Sequence, residues 1–554
     1  VGSGAADAAT SASGLTAVGS NALGACTEGN SNTAVGSYAL ALLVGTGTSA
    51  GTGGDYNTVM GDSAGYVTTG SSNTYIGRYA GVYADTTDDC IAIGRSALGG
   101  VTGDRVSGNY NIAIGSYALD ATTTGNSNVA IGHNAGTAID DGYYNILIGT
   151  SAGLAMTDAN TNVAIGHEAM LAAASGEHNN IAIGRSALAT ENAGADGCVA
   201  IGYQALEDQN VASANNVAVG YQSALNLTTG TDSVYVGYLA GGVGAITGDN
   251  VVAIGKSALL NATSVANSVF IGKQAGGLGV VAGADNVVIG NAAGYDLTGG
   301  TSNILIGSGS GSNLTDNTDN IVIGKDAFGA ANTGENSNIA IGTSALTTET
   351  SGADGCVAIG YEALEMQNVA GANNVAVGYL AATNLTSGTD SVYMGYLAGG
   401  LGTITGNENI VVGTYAGYDL TSASGNVLIG KDAAFNATTG KQNVILGYQA
   451  CGLGVLANAS STQGMYNVVV GPQAGYDMTS AEKNILLGKD AGANLTVGGN
   501  NIAIGYAALD AADTETDKHY NIAIGSGALG GATHTTEYCV AIGHNTLASQ
   551  TGDN

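Results

Sequence analysis

Apolar residues recur along the chain in a short pattern that closes on glycine. Residues 111–115 read Asn-Ile-Ala-Ile-Gly, and residues 128–132 read Asn-Val-Ala-Ile-Gly. The pattern has 30 copies, whose closing glycines run from Gly19 to Gly543 and mostly lie 17 or 18 residues apart. A fixed period of this length is typical of a solenoid, in which each repeat is one coil that stacks on the next.

The residues before the glycine predict a β-strand with two apolar sides. The residue just before the glycine is Ile, Val, Leu or Met in all 30 copies, and the residue three before it is Ile or Val in 26. These two positions share one side of a strand, so we expect them to line the core. The residue between them is Ala in many copies and Tyr75 or Phe270 in others, and is never charged. A solenoid has one interior, so the second apolar side predicts a cover, most simply a neighbouring subunit.

The rest of each coil predicts a corner, a second short strand and a turn. Three residues after the glycine, Ala stands in 27 of 30 copies, which indicates a tight inward corner. A weaker segment of the type Asn/Asp-Leu-Thr follows, as at residues 226–228, and a glycine-containing turn closes the coil. Asn opens the motif in 21 of 30 copies, and stacked Asn side chains can form a hydrogen-bonded ladder.

The repeat predicts one continuous array rather than several globular domains. We expect a lead-in at residues 1–14, a solenoid over residues 15–547 and a tail at residues 548–554. Longer spacings predict inserted loops near 41–55, 99–109, 452–465 and 510–519. A stretch from about 180 to 255 recurs at about 338 to 413, and the offset of 158 residues corresponds to nine coils. Thirty coils at about 4.8 Å each predict a rod of roughly 140 Å.

Composition narrows the class of protein further. The chain has 92 Gly among 554 residues but 1 Pro, which argues against collagen, and 44% apolar residues argue against disorder. A net charge of −31 argues against nucleic-acid binding, and no apolar run approaches the roughly 18 residues of a membrane span. No catalytic constellation stands out from the repeat, so we expect neither an enzyme nor a cofactor. Acidic turns could hold Ca²⁺, but the Gly-Gly-x-Gly-x-Asp repeat of calcium β-rolls is absent.

The motif resembles a known family of repeats over residues 15 to 547. Residues 32–39 read Asn-Thr-Ala-Val-Gly-Ser-Tyr-Ala. This signature resembles the head repeats of trimeric autotransporter adhesins and, more closely, related repeats of phage and viral tail-fibre and appendage proteins. The resemblance implies a left-handed parallel β-roll with three chains side by side. The coil is longer than in bacterial heads and no heptad stalk is present, which favours the viral or filament type.

The position just after the motif glycine, which we call the stripe, is a candidate binding surface. It holds 8 of the 12 basic residues and 8 tyrosines. One interpretation is a face that binds a sugar or a protein receptor on a host. The other is a subunit seam, in which long side chains cover apolar surface and pair with acids such as Asp326, Asp432 and Asp490. The candidate residues are Arg78, Arg95, Arg185, Tyr203, Tyr221, Tyr238, Lys256, Lys273, Lys325, Tyr361, Tyr379, Tyr396, Lys431, Tyr448, Lys489 and Tyr506.

Two further sets of residues favour structural interpretations. Four cysteines replace the opening Asn and lie several coils apart, too far for disulfides within one chain, so they are predicted to be small buried thiols. Asn-x-Thr sequons recur at one repeat position where Asp replaces Asn in other copies. A short polar side chain that bonds the local backbone is the simpler explanation there. The cysteines are Cys90, Cys198, Cys356 and Cys539; the sequons begin at Asn226, Asn261, Asn313, Asn384, Asn436 and Asn494.

Together these features predict a structural or adhesive protein. We expect a β-solenoid, assembled as a homotrimer, that forms the shaft or head of a virion fibre or surface appendage. The expected location is extracellular or on a virion. The alternatives are a subunit that stacks end to end into an extracellular filament, since the repeat runs nearly to both ends without a polar cap, and a bacterial trimeric surface adhesin.

Overall fold

The structure is a computed structural model, and it describes most of the chain. Residues 42–53, 102–104, 457–463 and 511–518 of the four predicted loops, and residues 549–554 of the predicted tail, lie outside the described residues. The described residues are 2–41, 54–101, 105–173, 176–190, 194, 196–209, 214–331, 334–348, 352, 354–456, 464–510, 519–531 and 537–548.

The chain divides into two units, Val1–Ala282 and Gly283–Asn554, and each contains fifteen short strands. The strands of unit 1 are β1 (Thr16–Val18), β2 (Thr33–Val35), β3 (Thr58–Met60), β4 (Thr74–Ile76), β5 (Ile91–Ile93), β6 (Ile112–Ile114), β7 (Val129–Ile131), β8 (Ile146–Ile148), β9 (Val163–Ile165), β10 (Ile181–Ile183), β11 (Val199–Ile201), β12 (Val217–Val219), β13 (Val234–Val236), β14 (Val251–Ile254) and β15 (Ser268–Ile271). The strands of unit 2 are β16 (Val287–Ile289), β17 (Ile304–Ile306), β18 (Ile321–Ile323), β19 (Ile339–Ile341), β20 (Val357–Ile359), β21 (Val375–Val377), β22 (Val392–Met394), β23 (Ile410–Val412), β24 (Val427–Ile429), β25 (Val444–Leu446), β26 (Val468–Val470), β27 (Ile485–Leu487), β28 (Ile502–Ile504), β29 (Ile522–Ile524) and β30 (Val540–Ile542).

Within each unit, every strand pairs in parallel with the strand of the next coil. The register matches equivalent repeat positions, so that Ala113 of β6 lies opposite Ala130 of β7. The same register holds in unit 2, where Ala358 of β20 lies opposite Ala376 of β21. The predicted all-β, single-chain parallel solenoid is therefore confirmed. The described residues contain strands, bridges and turns, and they include no helix long and apolar enough to cross a membrane.

The prediction of which strand side faces the core was wrong. The middle residue of the strand, which we call the inner row, is buried: Ala182 of β10 is 0% exposed. The flanking residues, which we call the outer rows, face outward: Ile181 and Ile183 are 36% and 37% exposed. The same order holds in unit 2, where Ala503 is buried and Ile504 is exposed. The interior of a coil is too narrow for two large aliphatic side chains per strand, so one residue, usually the small Ala, occupies it.

Complementary volumes fill this narrow interior. Where the inner row holds Ala113, the residue four after the glycine is Leu119, and both are buried. Where the inner row holds Tyr235, the equivalent corner residue is Gly241, whose added Cβ would lie 2.5 Å from the Tyr235 Cδ1 atom. Close-packed interiors tolerate little change in volume. A larger corner residue would therefore not fit beside Tyr235 as the ring is placed.

Backbone contact between coils explains the motif glycine and the corner alanine. Gly115 has φ near +138°, and a Cβ there would stand 2.2 Å from the carbonyl oxygen of Gly132 in the next coil. Side chains other than hydrogen are excluded by this approach. The alanine three residues later is buried, as Ala118 shows. The predicted tight inward corner is therefore confirmed.

The opening Asn forms a buried ladder through each unit. All 21 of these asparagines are buried. The backbone N–H of Asn128 donates to the Oδ1 of Asn111 at 2.9 Å, and the Nδ2 of Asn128 donates to the carbonyl of Gly142 at 2.7 Å. The predicted ladder thus exists, but its main links join a side chain to the backbone of the next coil. Each Asn ties its own strand to the turn that closes the coil.

The predicted second strand is largely absent from the described residues. The segment after the corner pairs with its neighbours through isolated bridges, such as Leu227 with Ile246 and Leu385 with Ile404. Its Leu residues are nevertheless buried.

The predicted lead-in also pairs with the coil that follows it. The Ala6 N–H donates to the Ala22 carbonyl at 2.9 Å, as the backbone does between successive coils.

Candidate functional site

The outer rows form an exposed apolar surface along each unit, which we call the strand face. It presents two residues per coil, both aliphatic except that β1 to β4 each begin with Thr; Ile146 is 40% exposed in β8 and Met394 42% in β22. Fifteen strands per unit carry thirty such positions. At roughly 50 Å² each, they sum to about 1,500 Å² per unit, well above the roughly 300–600 Å² of the largest apolar patch on a typical monomer. An exposed apolar surface of this size is typical of an interaction site.

The stripe lies beside the strand face, two residues after the second outer row. Its backbone joins the stack, because the carbonyl of Arg185 accepts from the Gln204 N–H of the next coil at 3.0 Å. The carbonyl of Pro472 accepts from the Asp490 N–H in the same way. A residue in the stripe therefore needs no N–H of its own for this bond, which is why the single proline fits there. The stripe side chains form an outward row along each unit.

Several stripe cations pair with acids on the residue that follows them. Lys325 lies 3.7 Å from Asp326, Lys431 lies 2.9 Å from Asp432, and Lys489 lies 2.6 Å from Asp490. The Asp432 and Asp490 carboxylates raise the pKa values of their lysines through these hydrogen bonds. All three lysines are more than half exposed, so the pairs contribute little to stability.

Three tyrosines of the stripe form a closed stack in unit 1, which we call ladder 1. The rings of Tyr203 and Tyr221 lie 5.1 Å apart at 13°, and those of Tyr221 and Tyr238 lie 5.2 Å apart at 11°. A cation covers each end, because the Arg185 guanidinium lies 5.9 Å from the Tyr203 ring and the Lys256 ammonium 5.6 Å from the Tyr238 ring. Every ring face in ladder 1 is thus used within the chain.

A second stack in unit 2, which we call ladder 2, ends differently. Tyr361 and Tyr379 lie 5.1 Å apart at 11°, and Tyr379 and Tyr396 lie 5.4 Å apart at 9°. The ring of Tyr415 meets Tyr396 edge-on at 5.3 Å. At the other end the stripe position of the preceding coil is Thr343. No cationic side chain of the described residues lies over the Tyr361 ring.

The remaining stripe residues make similar local contacts. The Arg95 guanidinium lies 4.5 Å from the Tyr117 ring, the Lys431 ammonium 5.4 Å from Tyr448, and the Lys489 ammonium 5.2 Å from Tyr506. Arg78 lies 4.6 Å from the Tyr79 ring and 3.6 Å from an Asp62 oxygen, and Lys273 is exposed. The sequence search missed Tyr79, Tyr117 and Tyr415, which follow the stripe by one position. Their left-handed φ angles, which turn them back toward the stripe, carry no signal in residue type.

This geometry bears on the two interpretations of the stripe. Sugar binding to an aromatic residue uses the ring face, and internal stacking leaves mainly edges and hydroxyls in both ladders. The exception is the outer face of Tyr361. Rows of tyrosines and lysines beside an apolar face are also typical of protein interfaces. Both interpretations stay predictions.

The six cysteines are buried and form no disulfide within the chain. Cys90 takes the place of Asn in the ladder, because its Sγ accepts from the Asn111 N–H at 3.4 Å. Burial raises the pKa of Cys90 to about 11 and raises that of Cys451 further. Inert, protonated thiols are the expected result.

The sequon asparagines stabilise the stack rather than a local turn. The Asn226 Nδ2 donates to the Val243 carbonyl at 2.9 Å, and the Asn384 Nδ2 donates to the Leu401 carbonyl at 2.8 Å. These acceptors lie 17 residues away, in the next coil, so the predicted bond to the local backbone was wrong. The position still requires a short polar side chain, but its hydrogen-bond partner is a backbone carbonyl of the next coil.

No group of three or more His, Cys, Asp or Glu residues in the described part of the chain could hold a metal ion.

A scan against protein-family models finds no match for this chain. A search of curated protein sequences finds no similar protein. The likeness to adhesin-head and tail-fibre repeats therefore stays a resemblance of motif, and the fold itself is a parallel β-solenoid.

Proposed function

We propose that this chain is a non-enzymatic fibrous protein that forms the elongated shaft or head of a virion fibre or surface appendage and serves in attachment to a host or surface. In this proposal three chains pack side by side through their strand faces. The observation that carries it is the strand face itself, an apolar surface that runs along every described coil of each unit.

The size of the strand face supports assembly with copies of the same chain. Stable protein interfaces bury about 1,200–2,000 Å² in total. The strand face of one unit alone offers about 1,500 Å² by the estimate above. A surface that repeats with the coil is best matched by another surface with the same repeat, and a second copy of this chain has one. The number of three and the left-handed coil come from the resemblance of the motif.

The interior supports a mechanical rather than a catalytic role. Each coil is filled by side chains from its own inner row, corner and Asn ladder. Coils that contact only their neighbours can be added without changing the rest of the stack, which suits a structural scaffold whose length is set by the number of repeats. The acidic net charge of −31 keeps such a particle soluble outside the cell or on a virion surface.

The mass of the native particle tests the proposal. Sedimentation or native mass spectrometry should give three times the chain mass of 53.9 kDa. Replacing Ile131 and Ile146 with Lys should shift the mass towards a single chain while the β-sheet circular dichroism persists. Replacing the exposed Thr124 and Thr157 with Lys adds the same charge away from the strand face and should leave the mass unchanged. A folded parent of single-chain mass would refute the assembly.

A further inference from the structure

The duplicated stretch, whose two copies lie nine coils apart, places the same tyrosine stack in each unit, so that ladder 1 is an internal reference for ladder 2. The offset of 158 residues relates Tyr203 to Tyr361, and the two rings have the same neighbour geometry of 5.1 Å within the stack. The backbone contacts also match, because the Glu362 N–H donates to the Thr343 carbonyl as the Gln204 N–H donates to the Arg185 carbonyl, each at 3.0 Å. Because the backbone is the same in both places, differences between ladder 1 and ladder 2 arise from the residues that have been substituted.

The first difference is the loss of the cation over the terminal ring. Arg185 in ladder 1 corresponds to Thr343 in ladder 2. Thr cannot cover the ring, and Tyr361 is 42% exposed, whereas Tyr203 is only partly exposed under its arginine. One aromatic face in ladder 2 is thus open at the position where the reference copy holds a guanidinium.

The second difference is a gain of negative charge beside that open face. Gln204 in ladder 1, which donates to Glu207 at 2.6 Å, corresponds to Glu362. The Glu362 carboxylate accepts a hydrogen bond from the Tyr361 hydroxyl, and this interaction raises the pKa of Tyr361. A second carboxylate, Glu365, lies close enough to Glu362 for their repulsion to contribute to the raised pKa of Glu365, after burial. Arg to Thr removes one positive charge and Gln to Glu adds one negative charge, so the net charge of this surface falls by two units.

We infer that Tyr361 and Glu362 form a binding site for the guanidinium group of an arginine side chain supplied by a partner protein. The guanidinium stacks on the open face of Tyr361, and its N–H groups donate to the Glu362 carboxylate. The partner arginine takes the place that Arg185 has in ladder 1. The site stands independently of the proposed assembly, because all its residues belong to one chain.

The chemistry favours a guanidinium over other cations. Guanidinium is planar, stacks on aromatic rings and presents a fork of donors that fits a carboxylate, whereas an ammonium is a compact, strongly hydrated charge. A single exposed contact of this kind is weak, so we expect a dissociation constant on the order of millimolar for an isolated arginine. Useful affinity requires several such contacts on one partner.

Ligand-observed saturation-transfer NMR with N-acetyl-argininamide tests the inference. The parent should give a saturable signal at about 0.15 M salt, where long-range attraction to the acidic chain is screened. The uncharged N-acetyl-citrullinamide, which has the same shape, should give none. Tyr361→Leu should abolish the arginine signal. Thr343→Arg should also abolish it, because it restores the internal cap.

Matched variants separate this site from general attraction to the acidic chain. Thr150→Arg adds the same charge at another stripe position and should leave the signal unchanged. Arg185→Thr combined with Gln204→Glu recreates the open site in unit 1 and should raise the signal about twofold. Equal binding of parent and Thr343→Arg would overturn the inference, as would equal binding of the citrulline probe. Circular dichroism of each variant confirms that the fold is retained.

Discussion

The Asn ladder yields a prediction whose size follows from the contacts of one residue. Asn145 lies in the middle of unit 1 and is fully buried. Its Oδ1 accepts from the Asn162 N–H at 3.0 Å, and its Nδ2 donates to the Ala159 carbonyl at 2.7 Å. Asn145→Ala removes both bonds and leaves a donor and an acceptor buried without these partners.

The expected loss is about 2–6 kcal/mol, since each buried polar group left unpaired costs about 1–3 kcal/mol. Other bonds survive the change: the Nδ2 of Asn162 keeps the Glu177 carbonyl at 2.8 Å. Asn145→Ser should lose about half as much, because Ser233 occupies the same row and accepts from the Val251 N–H at 2.9 Å. The order of stability is therefore Asn, then Ser, then Ala.

Native-state hydrogen exchange is the appropriate assay, because a solenoid opens coil by coil and a single global unfolding energy is poorly defined. Exchange at the Asn162 amide should accelerate by a factor of about 30 or more in Asn145→Ala, which corresponds to at least about 2 kcal/mol. The partly exposed Asn126 provides a matched control, and its replacement by Ala should change exchange little. Equal protection in Asn145→Ala and the parent would refute the ladder as a source of stability.

Three further changes test the core and the titrating groups. Tyr235→Ala should destabilise unit 1 by about 3–5 kcal/mol, and adding Gly241→Leu should restore most of this loss in denaturant unfolding, because the pair then matches the Ala–Leu coils. Burial raises the pKa of Asp120 to about 6, so the parent loses stability as pH rises from about 4 to 6. Asp120→Asn should therefore be more stable at pH 7 by about 1–2 kcal/mol and equal near pH 3. The raised pKa of Cys90, about 11, means that its contribution is present below pH 9 and lost by pH 11. Cys90→Asn should remove about 2 kcal/mol of that alkaline loss, measured by unfolding at pH 8 and 10.5.

The strands, their parallel stacking and the Asn ladder could be predicted because each rests on a period. A residue that recurs at every 17th or 18th position must occupy equivalent places in successive coils. A strand assigned in one repeat can therefore be assigned in all thirty. The corner alanine and the motif glycine follow by the same logic. At Gly115, for example, the backbone of the next coil lies so close that no side chain would fit, and this explains why the position is glycine.

The core side of the strand could not be read from hydrophobicity, because Ile114 is more apolar than Ala113 although Ala113 is the buried residue. Two signals in the sequence do point the right way. The opening Asn shares its side of the strand with the inner row, and in some coils a large inner residue accompanies a small corner residue, as in Tyr235 and Gly241. Complementary side-chain sizes at two positions indicate that the two residues touch each other. An apolar residue by itself indicates only that some surface covers it, which can be the core or another chain.

The stripe was predictable as a row but not as two kinds of ladder. Residue type placed Tyr203 and Tyr361 at equivalent positions, but ring stacking depends on rotamers. The meaning of Thr343 appears only when it is compared with Arg185, since a threonine on a surface carries no signal by itself. Internal duplication supplies that comparison, because it holds the backbone constant while side chains differ.

The two sides of each strand therefore serve two different contacts. Inner-row residues, the Asn ladder and the corner act along the stack, where each coil satisfies the polar groups of the next. The backbone of outer-row residues such as Ile131 pairs with the next coil, but their side chains lie outside the coil interior and are available for contacts with another chain. This separation explains why the outer rows retain Ile and Val in coil after coil although they lie outside the core. It also means that Ile131→Lys should alter assembly without opening coils, whereas Asn145→Ala should open coils first.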